Sequence, residues 1–560
     1  MKKINYIFLL LFSLGLVSCN EDEILNEVPL DFYSPENSFT KPEHIESSMA
    51  YLYARVRNLW DGNVNQSDVY YGTDLASGFQ NTLGYADYQN EVVPTAGRPN
   101  SRWSNLYRII FDANVIISRI EGVDYPDEAS KNAHIAEAMF FRAYAYNCLA
   151  NFFGGVPLVL EEVTSPKRDF VRESREAVYQ QCAIDLEFAA ANLPDINNVK
   201  GDGRASKAAA NHLLSEIYIS LKEYNKAVQA ASAVIENPNF ALMTSRFGSS
   251  ADEMPGDAYF DLFEPNNQNR SSGNTEAILV LQVEFNIPGG GGSNVNWGTG
   301  YKFERYIAPL YWQLKDPDGV AGFIGPTTKN GGRGIGWVRG TDHFTHEIWK
   351  GDWDNDIRNA EHNMERDYTF DNPASAYFGQ SVQEVFNAGI EGYPTEYDTM
   401  RLVYAYPTKL TTHNKHPEEI MIDVERGILS GNSGITYLDF YLMRLAETYL
   451  LRAEAYLGLG DLDKAAADIN KVRERANATP VVPSDVDIDY ILDERLRELS
   501  YEEPRRLTLS RLGKLVERTQ KYGRWSDESI QPHNELYPIP YSEIERNTEA
   551  VLEQNPGYVN

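Results

Sequence analysis

The stretch TYLDFYLMRLAETYLLRAEAYLGLGDLDKAAADINKVRERANATP, residues 436–480, decides the fold. Apolar residues recur at Leu438, Tyr441, Leu442, Leu445, Tyr449, Ala453 and Tyr456. Gaps of three and four predict one continuous stripe along a helix. Gly458 and Gly460 end that helix, and Asp461 is placed to cap the next. The second helix carries its own stripe at Leu462, Ala465, Ala466, Ile469 and Val472. Helices joined by so short a turn lie antiparallel, and small residues at Ala453, Ala465 and Ala466 let the backbones approach. The pair is a tetratricopeptide-like hairpin. Such a hairpin cannot bury its face alone, so partners are expected elsewhere in the chain.

Residues 204–237 repeat the hairpin. Tyr218 and Ala227 stand at the same spacing as Tyr456 and Ala465. A third, broken copy places Tyr146 and Ala177 on either side of FGGVPLV, and the region around Trp103 and Tyr107 supplies a fourth. Trp103, Tyr107, Tyr441, Tyr449 and Tyr456 read as scaffold and core. Further helices are predicted over 41–60, 102–120, 128–153, 174–193, 488–501 and 505–518. Repeats scattered in this way suit a scaffold that holds another layer. Residues 241–435 break the helical pattern, with a strand expected at 278–285 and glycine-rich loops at 288–300 and 331–337. The predicted fold is mainly α: a tetratricopeptide-like helical-repeat scaffold with a loop-rich second lobe containing short strands.

The chain opens with Lys2 and Lys3, then an apolar run from Ile7 to Val17 that is too short to span a membrane. It stops at LVSC, residues 16–19, a lipobox. Residues 1–18 are therefore expected to be a lipoprotein signal peptide, with Cys19 the lipidated residue and 19–40 a tether. The acidic run Asn20–Glu23 follows. Beyond it come a helical region, 41–240, the lobe, 241–435, and a C-terminal region, 436–560, ending in a Pro-rich tail.

The 560 residues are 42% hydrophobic, enough for a large core. The formal charge is −30, and losing Lys2 and Lys3 takes it to −32. A field of that sign argues against nucleic acid and anionic lipid as partners. Cys148 and Cys182 lie in helical patterns and read as small buried hydrophobes.

These segments together resemble the SusD/RagB family of outer-membrane nutrient-binding lipoproteins. The resemblance rests on LMRLAETYLLRAEAYLGLGD (442–461), AAADINKVRERA (465–476), ILDERLRELSYE (491–502), LYPIPYSEI (536–544) with QNPGY (554–558), and FFRAYAYNCLANFFGGVPLV (140–159). It spans nearly the whole chain. One departure is EEPRR, residues 502–506, where Pro504 changes a turn near the C-terminal helices. The resemblance implies a lipid-anchored cell-surface protein of the outer membrane, seated over a SusC-like TonB-dependent transporter as its lid. It implies capture of oligosaccharides, or of peptides in the RagB branch, with no chemistry done on the ligand.

A saccharide presents an apolar C–H face to an aromatic ring and hydroxyls to short polar side chains on loops. Segment 61–88 matches that need best. Asp61, Asn63, Asp74 and Asp87 supply acceptors, and Tyr85 and Tyr88 supply rings. Trp297, Trp337 and Trp353 are the candidates from the second lobe. No G-x-S-x-G, HExxH or Walker phosphate loop is present. Carboxylate pairs in so acidic a chain leave a surface glycoside hydrolase as a further reading. His343 and His346 have i,i+3 spacing beside Asp342 and Glu347 and read as exposed polar residues at a helix end, with a metal site as the alternative. His413 and His416 are similar, and Asp354 and Asp356 read as supporting a turn or binding Arg358. No cofactor or metal is predicted, although acidic loops are compatible with structural calcium.

Overall fold

The computed structural model describes residues 39–60, 67–78, 87–292, 302–394 and 401–559. The signal peptide, Cys19 and most of the tether lie outside them. The fold is a tetratricopeptide-like helical scaffold with few, short strands.

Helix α1, Pro42–Leu59, starts with proline at its first turn, where a missing N–H costs nothing. Its stripe of Ile45, Met49, Leu52, Val56 and Leu59 is buried. It packs on α2, Gly97–Arg119, which packs on α3, Glu128–Phe153. Asp127 caps α3 by accepting from Ser130 N at 2.7 Å. From Phe140 to Phe153 every residue of α3 is buried. A helix buried all round sits inside a protein, and α3 is the central rod, its buried Arg142 paired with Asp185 of the next helix. Helix α4, Arg175–Asn192, is capped by Ser174 and lies along α3. Helices α5, Lys207–Ser220, and α6, Tyr224–Ile235, form the next hairpin.

The hairpin of residues 436–480 is α7, Leu445–Leu459, and α8, Leu462–Arg475. Gly460 turns the chain at φ +76°, and Asp461 accepts from Lys464 N at 3.2 Å. Ala453, Ala465, Ala466, Ile469 and Val472 are buried between the helices. Although some two hundred residues separate them, α7 packs on α6 and α5. His212 of α5 pairs with Thr448 Oγ1 at 2.8 Å, and Arg452 Nη1 donates to Ser232 Oγ of α6 at 2.9 Å. A side chain at Gly458 would put its Cβ 2.4 Å from the Tyr224 ring, so only glycine permits this approach.

Two elements differ from the pattern reading. Residues 440–444 are not the first turns of α7. They form a strand, β4, antiparallel to β2, Ala277–Leu281, with Phe440 opposite Leu281. Tyr441 is still buried, but on a strand rather than on the helical stripe. The predicted helix over 505–518 is two helices, α10, Arg505–Leu512, and α11, Leu515–Tyr522, divided at Gly513 with φ +66°. Between α8 and α10 lies α9, Ile488–Leu499.

The loop-rich residues have an aromatic core of their own, built from Tyr311, Phe323, Tyr368, Phe370, Phe386 and Tyr404. A buried charge network ties them to the scaffold. Glu494 and Glu498 of α9 both accept from Arg358 Nη1, at 2.8 and 2.9 Å, and Arg358 also pairs with Asp356 at 2.7 Å. Lys409 donates to Glu502 at 2.6 Å, and Arg444 reaches Glu276, Glu498 and Glu502. Asp356 thus binds Arg358, one of the two roles read from its position. Cys148 and Cys182 are buried free thiols.

Candidate functional site

Asp68–Asp74 and Tyr88 are held by side chains of α10 and α11. Asp74 is wholly buried. Arg505 donates to its two oxygens at 2.9 and 2.7 Å, and Arg518 Nε adds a third bond at 2.5 Å. Burial alone would raise the Asp74 pKa, but these two guanidiniums overcome it and hold the carboxyl well below its usual range. Arg506 donates to Asp68 O at 2.8 Å and to the Tyr88 hydroxyl at 2.8 Å, while Tyr88 donates to Gly72 O. The EEPRR segment is therefore a clamp on this loop, with Glu503 pairing Arg505 at 3.0 Å.

This placement corrects two of the assignments made from residue type. Asp74 and Tyr88 are buried, and their polar atoms serve the clamp, so neither faces a ligand. Asp87 is half-buried and caps the turn Tyr88–Glu91 by accepting from Gln89 N and Asn90 N. Asp61, Asn63, Tyr85 and Trp297 lie outside the described residues.

From the clamp the chain enters β1, Ala76–Gly78, which pairs antiparallel with β3, Val338–Gly340. Gly78 lies opposite Val338, next to Trp337. Trp337 N donates to Tyr306 O at 2.9 Å, and the two rings stack at 5.2 Å and 11°. Arg401 Nε donates to Ile335 O, and Leu310 N donates to Arg401 O. Gly78 pairs with the neighbour of Trp337, Arg401 bonds the strand end at Ile335, and Lys302 lies one helical turn before Tyr306, whose N donates to Lys302 O at 3.1 Å. The glycines of GGRGIGW serve packing: a Cβ on Gly334 would lie 2.2 Å from Ala308 O.

Strand β3 leads from Trp337 toward Asp342, a run of about 16 Å at 3.3 Å per residue. Asp342 approaches Arg524 at 3.7 Å, and the Arg524 guanidinium lies 4.9 Å over the Trp525 ring. Trp525 is 38% exposed and sits at φ +66°. It carries no helical or strand periodicity and was not among the candidates; the only sequence signal is an arginine beside a tryptophan. Trp353 is 40% exposed, stacked with His346 at 6.1 Å, with the Arg366 guanidinium 4.5 Å over its ring. Trp353 and Trp525 are thus each braced by an arginine, and Trp337 by the Tyr306 ring. Such rings suit planar stacking against an apolar ligand face.

The histidines do not form the exposed helix end expected of them. His343 is buried, pairs with Asp493 at 2.9 Å and stacks on Tyr522, whereas His346 belongs to Trp353. His416 pairs with the buried Glu304 at 2.8 Å. Burial, then the neighbouring His416, pulls the His413 pKa down to about 4. Among the described residues, no three His, Cys, Asp or Glu side chains are grouped to hold a metal.

Helical repeats supporting a loop-rich lobe with stacked aromatic rings define a class of binding scaffold. A model described as SusD family matches residues 289–558. A second, described as starch-binding associating with outer membrane, matches 30–219, and a tetratricopeptide repeat model matches 208–237. The chain belongs to the SusD-like family. It is 24% identical to SusD-like protein P25 of Formosa agariphila over 99% of this chain and 98% of that protein. It is 40% identical to starch-binding protein SusD of Bacteroides thetaiotaomicron, over 21% of this chain and 22% of that protein. A laminarin binding SusD-like protein of known structure superposes with a TM-score of 0.67 and 25% identity, covering 93% of this chain and all of that one.

Proposed function

We propose that this chain is a cell-surface lipoprotein of the outer membrane that captures oligosaccharides and passes them to a SusC-like TonB-dependent transporter, closing over it as a lid. The observation that supports the reading is the half-buried Tyr306–Trp337 stack beside the β1–β3 pair, with Arg401 bonded to Ile335. Rings on a rigid frame with loops at their edge are what a saccharide face needs. Similar proteins named for binding laminarin and starch support this ligand class. Ligand contacts are assigned to Trp337 and Trp353, to Tyr85 and Trp297 on the segments next to Gly78 and Lys302, and to Asp61 and Asn63 on the separate segment after Trp60. Lipid on Cys19 keeps capture site and transporter at high effective concentration, so modest affinity suffices. The protein binds without cleaving.

Calorimetry of residues 20–560 against a panel of β-glucan, starch and other oligosaccharides tests this. Saturable binding to at least one glycan, with the glycan recovered intact, is expected. Binding only to peptides moves the protein to the RagB-like reading, and release of reducing ends makes it a hydrolase; either result rejects the proposal.

A further inference from the structure

The glycine-rich turn that carries Trp337 also gathers arginines. Arg305 O accepts from Ile335 N at 2.7 Å, and Arg401 Nε donates to Ile335 O. Arg333 stands two residues before Ile335, its own N donating to the buried Glu304 carboxylate at 3.0 Å. The Arg401 stem lies on Gly336, where a Cβ would come within 2.8 Å of its Cγ. Gly336 is the chain neighbour of Trp337, so the Arg401 stem and the Trp337 ring meet at one glycine.

The donors of these arginines are engaged differently from those elsewhere in the fold. Arg358, Arg444 and Arg505 are closed by carboxylates. Arg270, half-buried, directs both Nη groups at the backbone carbonyls of Thr275, Ala277 and Asn239. The Arg333 guanidinium makes no hydrogen bond among the described residues, and its Nη1 is buried without an acceptor. It lies 5.3 Å over the Trp312 ring, which is fixed in turn by Nε1 donating to Gly334 O at 2.9 Å. Arg401 engages only its Nε, so both its Nη groups lack an acceptor among the described residues. Neither arginine is paired with a carboxylate there, in a chain with 81 acidic residues against 51 basic ones. Arg305 Nη1 donates to Ser433 O at 3.3 Å. Burial, and then the charge of Arg333 beside it, pulls the Arg305 pKa down to about 10. Half-buried guanidiniums that repel each other destabilise the fold, and a bound anion offsets that cost.

We propose that Arg333 and Arg401, with Arg305 behind them, recognise an acidic group on the captured oligosaccharide, a carboxylate or a sulfate ester, while the sugar ring lies against Trp337. This deepens the capture reading and rests on it. A guanidinium presents its N–H groups as a planar fork that fits either oxyanion. The net charge of −30 does not forbid the contact. Screening limits repulsion from the rest of the surface to about 8 Å at physiological salt, and a contact ion pair is shorter than that.

Calorimetry of residues 20–560 compares neutral oligosaccharides, laminarihexaose and maltohexaose, with an acidic panel. One acidic arm holds uronate oligosaccharides from pectin, alginate and glucuronoxylan, and the other holds sulfated oligosaccharides from carrageenan and fucoidan. At least tenfold tighter binding of an acidic oligosaccharide than of either neutral one is expected, and the arm in which it occurs names the oxyanion. Arg333→Gln and Arg401→Gln should each weaken that binding at least tenfold and leave any neutral binding unchanged. Arg333→Gln should also raise the melting temperature, because the like charge facing Arg305 is gone. Arg333→Lys, a point charge without the fork, should recover only part of the affinity. Neutral oligosaccharides bound as tightly as every acidic one overturn the proposal and leave glycan capture standing. So does acidic binding that both glutamine variants leave unchanged. Binding to no glycan of any arm rejects the capture reading itself, and the proposal with it.

Discussion

Arg505 grips Asp74 through two parallel hydrogen bonds, 431 positions apart in the chain and shut away from water. The pair fixes the loop that leads to the candidate site. Removing the Asp74 charge leaves two buried guanidiniums, Arg505 and Arg518, short of a shared counter-charge, with only Glu503 and the half-exposed Asp489 and Asp493 remaining. Asp74→Asn is expected to cost about 3–5 kcal/mol in urea unfolding. Arg505→Lys should not substitute, because a point charge lacks the two-pronged geometry. An unchanged unfolding midpoint in Asp74→Asn would remove the clamp from the account.

Trp337→Ala should weaken glycan binding at least tenfold, about 1.4 kcal/mol, by calorimetry. Its stacked partner contributes a ring rather than a hydroxyl, so Tyr306→Phe should bind normally. The Trp337→Ala loss in thermal stability should stay below that of Asp74→Asn. Normal affinity in Trp337→Ala would shift the site toward Trp353 and Trp525.

Alanine for glycine inside a helix usually stabilises by about 1 kcal/mol. At Gly458 the sign should reverse, because the new Cβ meets the Tyr224 ring. Gly458→Ala is expected to cost about 1 kcal/mol. In a Tyr224→Ala background the same change should become neutral or stabilising, a coupling that a double-mutant cycle reads directly.

Acid should unfold the protein through its buried carboxylates. Burial would raise Glu494 and Glu447, yet Arg358, Arg497 and Arg473 at the first, and Arg495 and His212 at the second, bring both down from 4.5 to about 2. A depressed carboxylate contributes stability that is complete above its unfolded value and is lost as pH falls toward the folded one. Melting temperature should therefore drop steeply between pH 4.5 and 2. Glu365 runs the other way: burial raises it to about 7, so its share of stability is lost as pH rises from 4.5 to 7. Glu365→Gln should flatten that second slope and leave the acid limb in place.

The hairpin at 445–475 was legible because its signals are local: a stripe, a left-handed glycine and a capping aspartate within thirty residues. Residues 440–444 misled because a strand whose partner lies about 160 positions upstream leaves no mark nearby, and their apolar residues happened to continue the helical spacing. Asp74 looked like a ligand acceptor for the same reason. Its residue type was readable, but its partners, Arg505 and Arg518, come from the far end of the chain. Trp337 is half-buried against Tyr306 and Trp353 is 40% exposed, so their placement leaves them as candidates without testing them. Trp525 carried no further signal because Asp342, which meets its neighbour Arg524, joins that corner only in space.

The ribbon of β2 and β4 has a consequence for how such a protein can change. Leu281 and Phe440 sit side by side, so the long excursion between them leaves the helical frame and returns to it at one doorway. Loops inside that excursion can lengthen, shorten or trade aromatic residues without altering the spacing of the helices that frame it. The described residues between 282 and 439 are in that sense an insert hung from one ribbon of the frame.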